Sequence, residues 1–290
     1  MFKKILVATD LSEASDHVIG CLHGLKQIGA EQALLVYALG IRHLEVMKYE
    51  LARLAEPRLQ AQKMMLEKQG FVTDILVASG QPSFEINRVA NEQKASLIVV
   101  GSHGSTLAKE VMLGGVATAI LHEATVPVLV IRLKITDLAT QIRCKVICTD
   151  LWRHILYCTD FSDTAERAFA YVEKMVESGT KRVTLLHVQD KVRIGTHLSN
   201  RLEEFNRIDQ ARLERLKMQL KAKGAMDVRI EIPYGSPIQE ILQRTKDEDV
   251  SLVVMGSQGR GFIAEVFLGS VSHHVARGAG VPVLLVPALR

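Results

Sequence analysis

Ser96-Leu97-Ile98-Val99-Val100-Gly101-Ser102 returns as Ser251-Leu252-Val253-Val254-Met255-Gly256-Ser257, an offset of 155 residues. The agreement continues at that offset: Glu110 to Val116 aligns with Glu265 to Val271, and Val126-Pro127-Val128-Leu129 with Val281-Pro282-Val283-Leu284. Upstream, Ile5 to Ser12 matches Ile155 to Ser162 at an offset of 150, so the second copy carries five extra residues before its third strand. A repeat this long is a duplicated domain, because solenoid repeats run only about 20–50 residues. The reading divides the chain into a domain over 1–133, a linker with some structure over 134–153, and a second domain over 154–290. Val146 to Asp150 also resembles a strand ending in Asp, but Asp160 is preferred because Ser162 and a good helix follow it.

Each copy alternates strands and helices. In the second, Ile155 to Thr159 is a short apolar run, after which Ala165, Ala168, Phe169, Val172, Met175 and Val176 recur at helical steps with Ser162 as N-cap. Arg182 to Val188 reads as the next strand, Leu198 to Lys223 as a charged helix ended by Gly224, and Val228 to Ile232 as an alternating strand. Ser236-Pro237 then opens a helix with Gln239 closing a capping box. Leu252 to Met255, a Gly-punctuated loop, a helix over 270–277 and the strand Val281 to Val286 complete the copy. Apolar runs without alternation belong to parallel strands covered on both faces, so the fold class is α/β: two tandem doubly wound domains, each with a five-stranded, mostly parallel sheet and helices on both faces. Ligands of such sheets bind beyond the carboxyl ends of the strands, where strand order reverses. Asp10 and Asp160 end first strands and the Gly-rich loops follow fourth strands, so both features meet on that edge.

Composition narrows the partners. At 290 residues the chain is long enough for two ordinary domains, and 48% apolar with 23% charged residues is a balance that folds throughout. The 36 basic and 32 acidic side chains are interspersed, so no basic stripe points to nucleic acid. The apolar run Ile5 to Ala8 is too short for a signal-peptide core and no run approaches membrane-spanning length. A cytoplasmic protein with no membrane partner is expected. The cysteines Cys21, Cys144, Cys148 and Cys158 do not pair across the repeats, and reduced thiols are expected. Cys144, Cys148, His154 and Cys158 invite a zinc reading, but Cys148 and Cys158 lie in apolar, strand-like runs where Cys behaves as a small hydrophobe; no metal site is assigned.

The loop of the second copy, Gly256-Ser257-Gln258-Gly259, nine residues and then Gly269-Ser270, resembles the G-x-x-G-x9-G-[S/T] signature of the universal stress protein family. With the first-strand Asp, the Gly-x-Pro turn and the closing Val-Pro-Val-Leu, the resemblance covers nearly all of both copies, as a tandem, two-domain type. It implies adenine nucleotide as ligand: ATP, or AMP or ADP, with Mg an optional companion. The physical chemistry agrees, since glycines let backbone N–H groups converge on phosphate oxygens. Ser270 and Ser272 add hydroxyls, and with Val271 they open a helix whose N-terminus favours negative charge. Arg260 stands beside Gly259, within reach of outer phosphates. By resemblance alone, Asp160 meets the nucleoside end and Val188 offers backbone groups to the adenine. The first copy has Gly115 and Ala117 in place of Ser270 and Ser272, and His103 and Ser105 in place of Gln258 and Arg260. Weak or absent ATP binding is expected there.

No P-loop, dinucleotide fingerprint, Ser-His-Asp constellation or paired catalytic carboxylates stand out, and no catalytic residue is assigned. The resemblance implies an ATP-binding regulatory protein whose nucleotide sits mainly in the C-terminal domain, with the two copies as a pseudo-dimer and chains able to form homodimers. Two other readings stay open: a slow ATP hydrolase or self-phosphorylating protein using Ser270 or Ser272, and a structural stress protein that has lost nucleotide.

Overall fold

A computed structural model describes the chain apart from residues 41–44, 104–112, 139–140, 147–149, 196–200, 248, 260–267 and 290. It forms two compact units, Met1–Thr149 and Asp150–Leu289. In the first, strands Lys4–Thr9, Gln32–Leu39, Val72–Ser79, Leu97–Gly101 and Val128–Ile131 pair in parallel in the order third, second, first, fourth, fifth. In the second, His154–Cys158, Arg182–Leu186, Asp227–Glu231, Leu252–Gly256 and Val283–Val286 repeat that order. Right-handed crossovers put the helices on both faces of such a sheet. The order reverses between the first and fourth strands, which places a cleft at their carboxyl ends.

Burial follows the apolar pattern. Ile155, Leu252, Val253 and Val254 are fully buried, as central parallel strands require. The helix Asp163–Glu177 buries Ala165, Ala168, Phe169, Val172, Met175 and Val176, the residues its periodicity selects, and Ser162 caps it by accepting from the Ala165 N–H. The Tyr157 hydroxyl, inside the sheet, donates to Ala165 O at 2.7 Å and so ties the first strand to this helix. The second strand ends at Leu186, two residues before the expected Val188, and the long helix runs Leu202–Ala222. Beyond Leu186 the chain stays extended, and Gln189–Asp190 makes a short parallel pair with Tyr234–Gly235.

The structure gives detail to the segment after the first domain and corrects the expectation of reduced thiols. The segment after Leu133 is an antiparallel hairpin of Leu133–Leu138 with Gln141–Val146, part of the first unit. It has no partner in the repeat and reads as a linker with some structure, and Leu133 and Ile135 alternate with polar Lys134 and Thr136 as a strand does. The hairpin lies against the helix Glu13–Gly20. Cys21, the C-cap of that helix, is disulfide-bonded, where reduced thiols were expected; spacing along the chain does not display this proximity. The Cys144 side chain and Cys148 lie outside the described residues. Cys158 is free and buried, and burial pushes its thiol well up, so it packs as a small apolar group.

His154 supplies a pH dependence. Its ring is 2% exposed, Nδ1 donates to Asp249 O at 3.1 Å, and Nε2, then the acceptor, takes the Thr184 hydroxyl at 2.9 Å. Burial, the largest cause, holds this imidazole below its ordinary value. The unfolded chain therefore binds the extra proton first, and stability present above about pH 6.5 is lost as pH falls from there through the folded-state value. Urea titrations followed by Trp152 fluorescence are expected to give a lower unfolding free energy at about pH 5 than at about pH 7, with a smaller difference in His154→Gln.

Candidate functional site: the cleft of the second unit

The turn after the first strand is built from its own side chains. Thr159 Oγ1 accepts from the Phe161 N–H at 2.9 Å, and Asp160 Oδ1 accepts from the Ser162 N–H at 3.1 Å and the Ser162 hydroxyl at 2.6 Å. These bonds hold Phe161 at φ 58°, a left-handed conformation that disfavours a residue with a side chain. The first unit makes the same turn, with Leu11 at φ 64° and Asp10 Oδ1 taking Ser12. With Oδ1 engaged, Asp160 turns Oδ2 toward the glycine loop: a Cβ on Gly259 would lie 2.5 Å from it. That close approach is why position 259 has no side chain.

Beyond the second strand, the His187 and Gln189 N–H groups donate to Glu231 O and Pro233 O on the neighbouring chain segment. Extended backbone alternates, so the Val188 amide between them points the other way, toward the first strand and the cleft. His187 Nδ1 donates to Thr159 O at 2.8 Å, its ring packs 4.6 Å from that of Phe161, and Nε2 lies 3.4 Å from Asp209 Oδ2. Gln189 Nε2 donates to the same Asp209 oxygen at 3.1 Å.

The loop after the fourth strand is pinned at both ends. Ser257 N–H donates to Val286 O, and Ser257 O receives the Gly269 N–H at 2.7 Å and the Ser272 hydroxyl at 2.5 Å. Gly256 has no room for a Cβ, which would meet Thr164 Cγ2 at 2.9 Å. The helix Ser270–Gly278 then starts after Gly269 with no side-chain cap. Its first intrahelical bond is His273 N–H to Gly269 O, so the N–H groups of Ser270, Val271 and Ser272 have no helical partner. Ser272 is 3% exposed and its hydroxyl lies within donating distance of both Ser257 O and Gly269 O, so its side chain braces the loop while its N–H stays with the helix start.

These parts enclose a cavity of about 660 Å³ lined by Asp160, Val188, Gly256, Gly259, Gly269, Ser270, Val271 and Ser272. Eight of the nine residues selected from the sequence thus border one space; the ninth, Arg260, lies outside the described residues. The same space is lined by His187, Gln189, Phe205, Asp209 and Arg212, which sequence reasoning missed. The signal available for three of them was the 3–4 spacing of Phe205, Asp209 and Arg212 on one helix, hidden among the charges of a solvated surface. The cavity wall offers uncapped helical N–H groups to an anion, together with a carboxylate and a backbone edge suited to hydroxyl and amine donors and acceptors.

The first unit keeps the backbone of this arrangement. Gly114 N–H donates to Ser102 O at 2.8 Å, and the helix Gly115–Glu123 also starts without a side-chain cap. Gly115 and Ala117 remove the hydroxyls. Asp10 Oδ1 takes a further bond from Ser15 at 2.6 Å, and the buried Gln62 spans Thr9 and Asp16.

The sequence profile of the universal stress protein family matches residues 1–132 and 151–287. Universal stress protein MJ0577 of Methanocaldococcus jannaschii is 33% identical over 155 residues, covering 47% of this chain and 95% of that protein. A universal stress protein of Mycolicibacterium smegmatis is 28% identical over 230 residues, 78% of this chain and 74% of its own length. The crystal structure of a universal stress protein from Archaeoglobus fulgidus DSM 4304 superposes over 99% of this chain and 98% of its own, with a TM-score of 0.77 at 25% identity. Among the described residues no helix is long and apolar enough to cross a membrane. Matched on both sides of the hairpin segment, with the same sheet order in each unit, the chain belongs to the universal stress protein family.

Proposed function

We propose that this is an ATP-binding regulatory protein that holds its nucleotide mainly in the C-terminal unit. The observation that carries this reading is the uncapped start of the helix Ser270–Gly278, whose first residues line the same cavity as Asp160 and Val188. The phosphates take the N–H groups of Ser270, Val271 and Ser272 and the Ser270 hydroxyl, while the glycines at 256, 259 and 269 keep side chains out of their path. The sugar lies against Asp160 and the base against the Val188 backbone edge. Magnesium is an optional companion of the phosphates in this reading; among the described residues no group of three or more His, Cys, Asp or Glu is placed to hold a metal ion. The first unit, without the two hydroxyls, contributes little to ATP binding. Pairing of the two units within one chain, association of chains into dimers and a cytoplasmic location belong to the same reading.

The test is to denature the purified protein and quantify released adenine nucleotide, then titrate emptied protein with ATP, ADP and AMP by calorimetry. About one nucleotide per chain is expected, as befits a single site with affinity in the micromolar range or tighter, roughly −8 kcal/mol. Absence of nucleotide, together with no heat on adding it back, would overturn the proposal and favour a nucleotide-free structural role. Phosphate release above the blank that Ser270→Ala abolishes would move the reading to a hydrolase.

A further inference from the structure

The second unit contains an arginine whose environment differs from that of its counterpart in the first. Arg212 stands twelve residues before Gly224 and Arg58 twelve before Gly70, each glycine ending its long helix at positive φ. In the first unit Arg58 is consumed locally: it donates to Leu11 O at 3.1 Å and pairs with Asp16 Oδ2 at 2.9 Å. In the second unit Phe161 replaces Leu11, and exposed Glu166 replaces Asp16. The Arg212 guanidinium lies over the Phe161 ring, 5.1 Å from its centroid, and the residue lines the cavity. The nearby acid is already engaged, because Asp209 Oδ2 receives Gln189 at 3.1 Å and lies 3.4 Å from His187 Nε2. Among the described residues, the other arginine lining the cavity, Arg193, lies 3.7 Å from Asp190. A guanidinium held over an aromatic ring has N–H donors to offer, and those match planar or tetrahedral oxyanions.

Its place in the cleft is set by strand order. Asp160 meets Gly259 on the side of the fourth strand, whereas Phe161 meets His187 and Arg212 on the side of the second. Arg212 is therefore toward the second strand from the Asp160–Phe161 turn, on the side where the base is also placed, and the glycine loop is toward the fourth. Resting on the nucleotide orientation proposed above, with the 5′ chain on the glycine loop and the sugar at Asp160, we propose that Arg212 is a specificity-determining residue for a second phosphate on the ribose. The ligand class is a nucleotide phosphorylated on its ribose hydroxyls as well as at the 5′ position.

The probe is adenosine 3′,5′-bisphosphate, compared with AMP by calorimetry on the full-length protein emptied of nucleotide. The bisphosphate is expected to bind at least about tenfold more tightly than AMP, as one charge-assisted contact supplies. In Arg212→Met the ratio is expected to fall below about threefold, and Arg212→Lys, which keeps charge without the fork, to fall between. Unfolding followed by Trp152 fluorescence checks that the variants fold. Equal binding of the two ligands by the native protein overturns this inference while leaving nucleotide binding standing, and so does a preference that survives Arg212→Met. GMP favoured over AMP, with the preference lost in Arg212→Met, assigns the arginine to the base and overturns it as well. If AMP, ATP and the bisphosphate all fail to bind, the proposed function fails and takes this inference with it.

Discussion

Gly269→Val is expected to leave the purified protein without nucleotide. A Cβ at this position would lie 3.3 Å from Ser257 O, tighter than most side chains accept, with the Ser272 hydroxyl at 3.4 Å and Gln258 Cα at 3.5 Å closing the remaining space. The two methyl groups of valine reach further, toward the start of the helix to which the proposed function assigns the phosphates. Displacing the helix start also disturbs the 2.7 Å bond from Gly269 N–H to Ser257 O, which closes the loop. Two charge-assisted contacts of about 1.5–3 kcal/mol each are at stake, so affinity for ATP is expected to fall at least a hundredfold. Gly114→Val is the matched control. There the nearest atom to a new Cβ is Ser102 O at 3.7 Å, an ordinary contact, in the unit that lacks the hydroxyls. Nucleotide released per chain, measured on both variants, reads the outcome. Loss in Gly114→Val with retention in Gly269→Val would put the site in the wrong unit.

Leu185→Ala is expected to cost the second unit about 2–5 kcal/mol, the usual range for emptying a fully buried leucine site. Leu185 is 0% exposed on the second strand, immediately before the segment that carries His187 and Val188. The chain has one tryptophan, Trp152, which is 6% exposed in this same unit, so its fluorescence reports the unfolding of the part that was changed. The urea midpoint should drop with the slope of the transition kept, the signature of altered stability without altered compactness. Val192→Ala supplies the contrast: Val192 is 80% exposed, and its change should stay within about 0.5 kcal/mol. A Leu185→Ala shift no larger than that of Val192→Ala would contradict the burial assigned to the sheet.

The duplication and the α/β alternation were legible in the sequence because central parallel strands are nearly pure apolar runs, as in Leu97 to Val100 and Leu252 to Met255, and such runs repeat almost without change. Asp160 and the glycines were legible for a related reason, since a strand end and a close backbone approach each demand a particular residue. The other side of the cleft was not. His187 looked like the end of a strand, and Asp209 and Arg212 like the solvated face of a charged helix. They reach the cavity only because that helix crosses back over the sheet, a relation carried by topology and not by local pattern. The hairpin after Leu133 escaped because it is absent from the repeat on which the rest of the reading was built. Ser272 was selected for a hydroxyl that turns out to donate within the loop, to Ser257 O or Gly269 O, which no spacing along the chain foretells.

Strand order also decides when each unit comes into being during synthesis. Every pairing within the two five-stranded sheets is parallel, so neither sheet contains a hairpin able to form early from adjacent residues. The strand made first is the central one, and its neighbour on one side is made fourth. Ser96 Oγ bonds Lys4 O across 92 residues of chain, and Ser251 Oγ bonds His154 O across 97. Until that distant strand leaves the ribosome the first one has an open, apolar flank, which slows folding and exposes the nascent chain to aggregation. The cleft opens between those same two strands, so it is among the last features of either unit to exist, and a nucleotide has no site in a nascent chain that ends before its fourth strand.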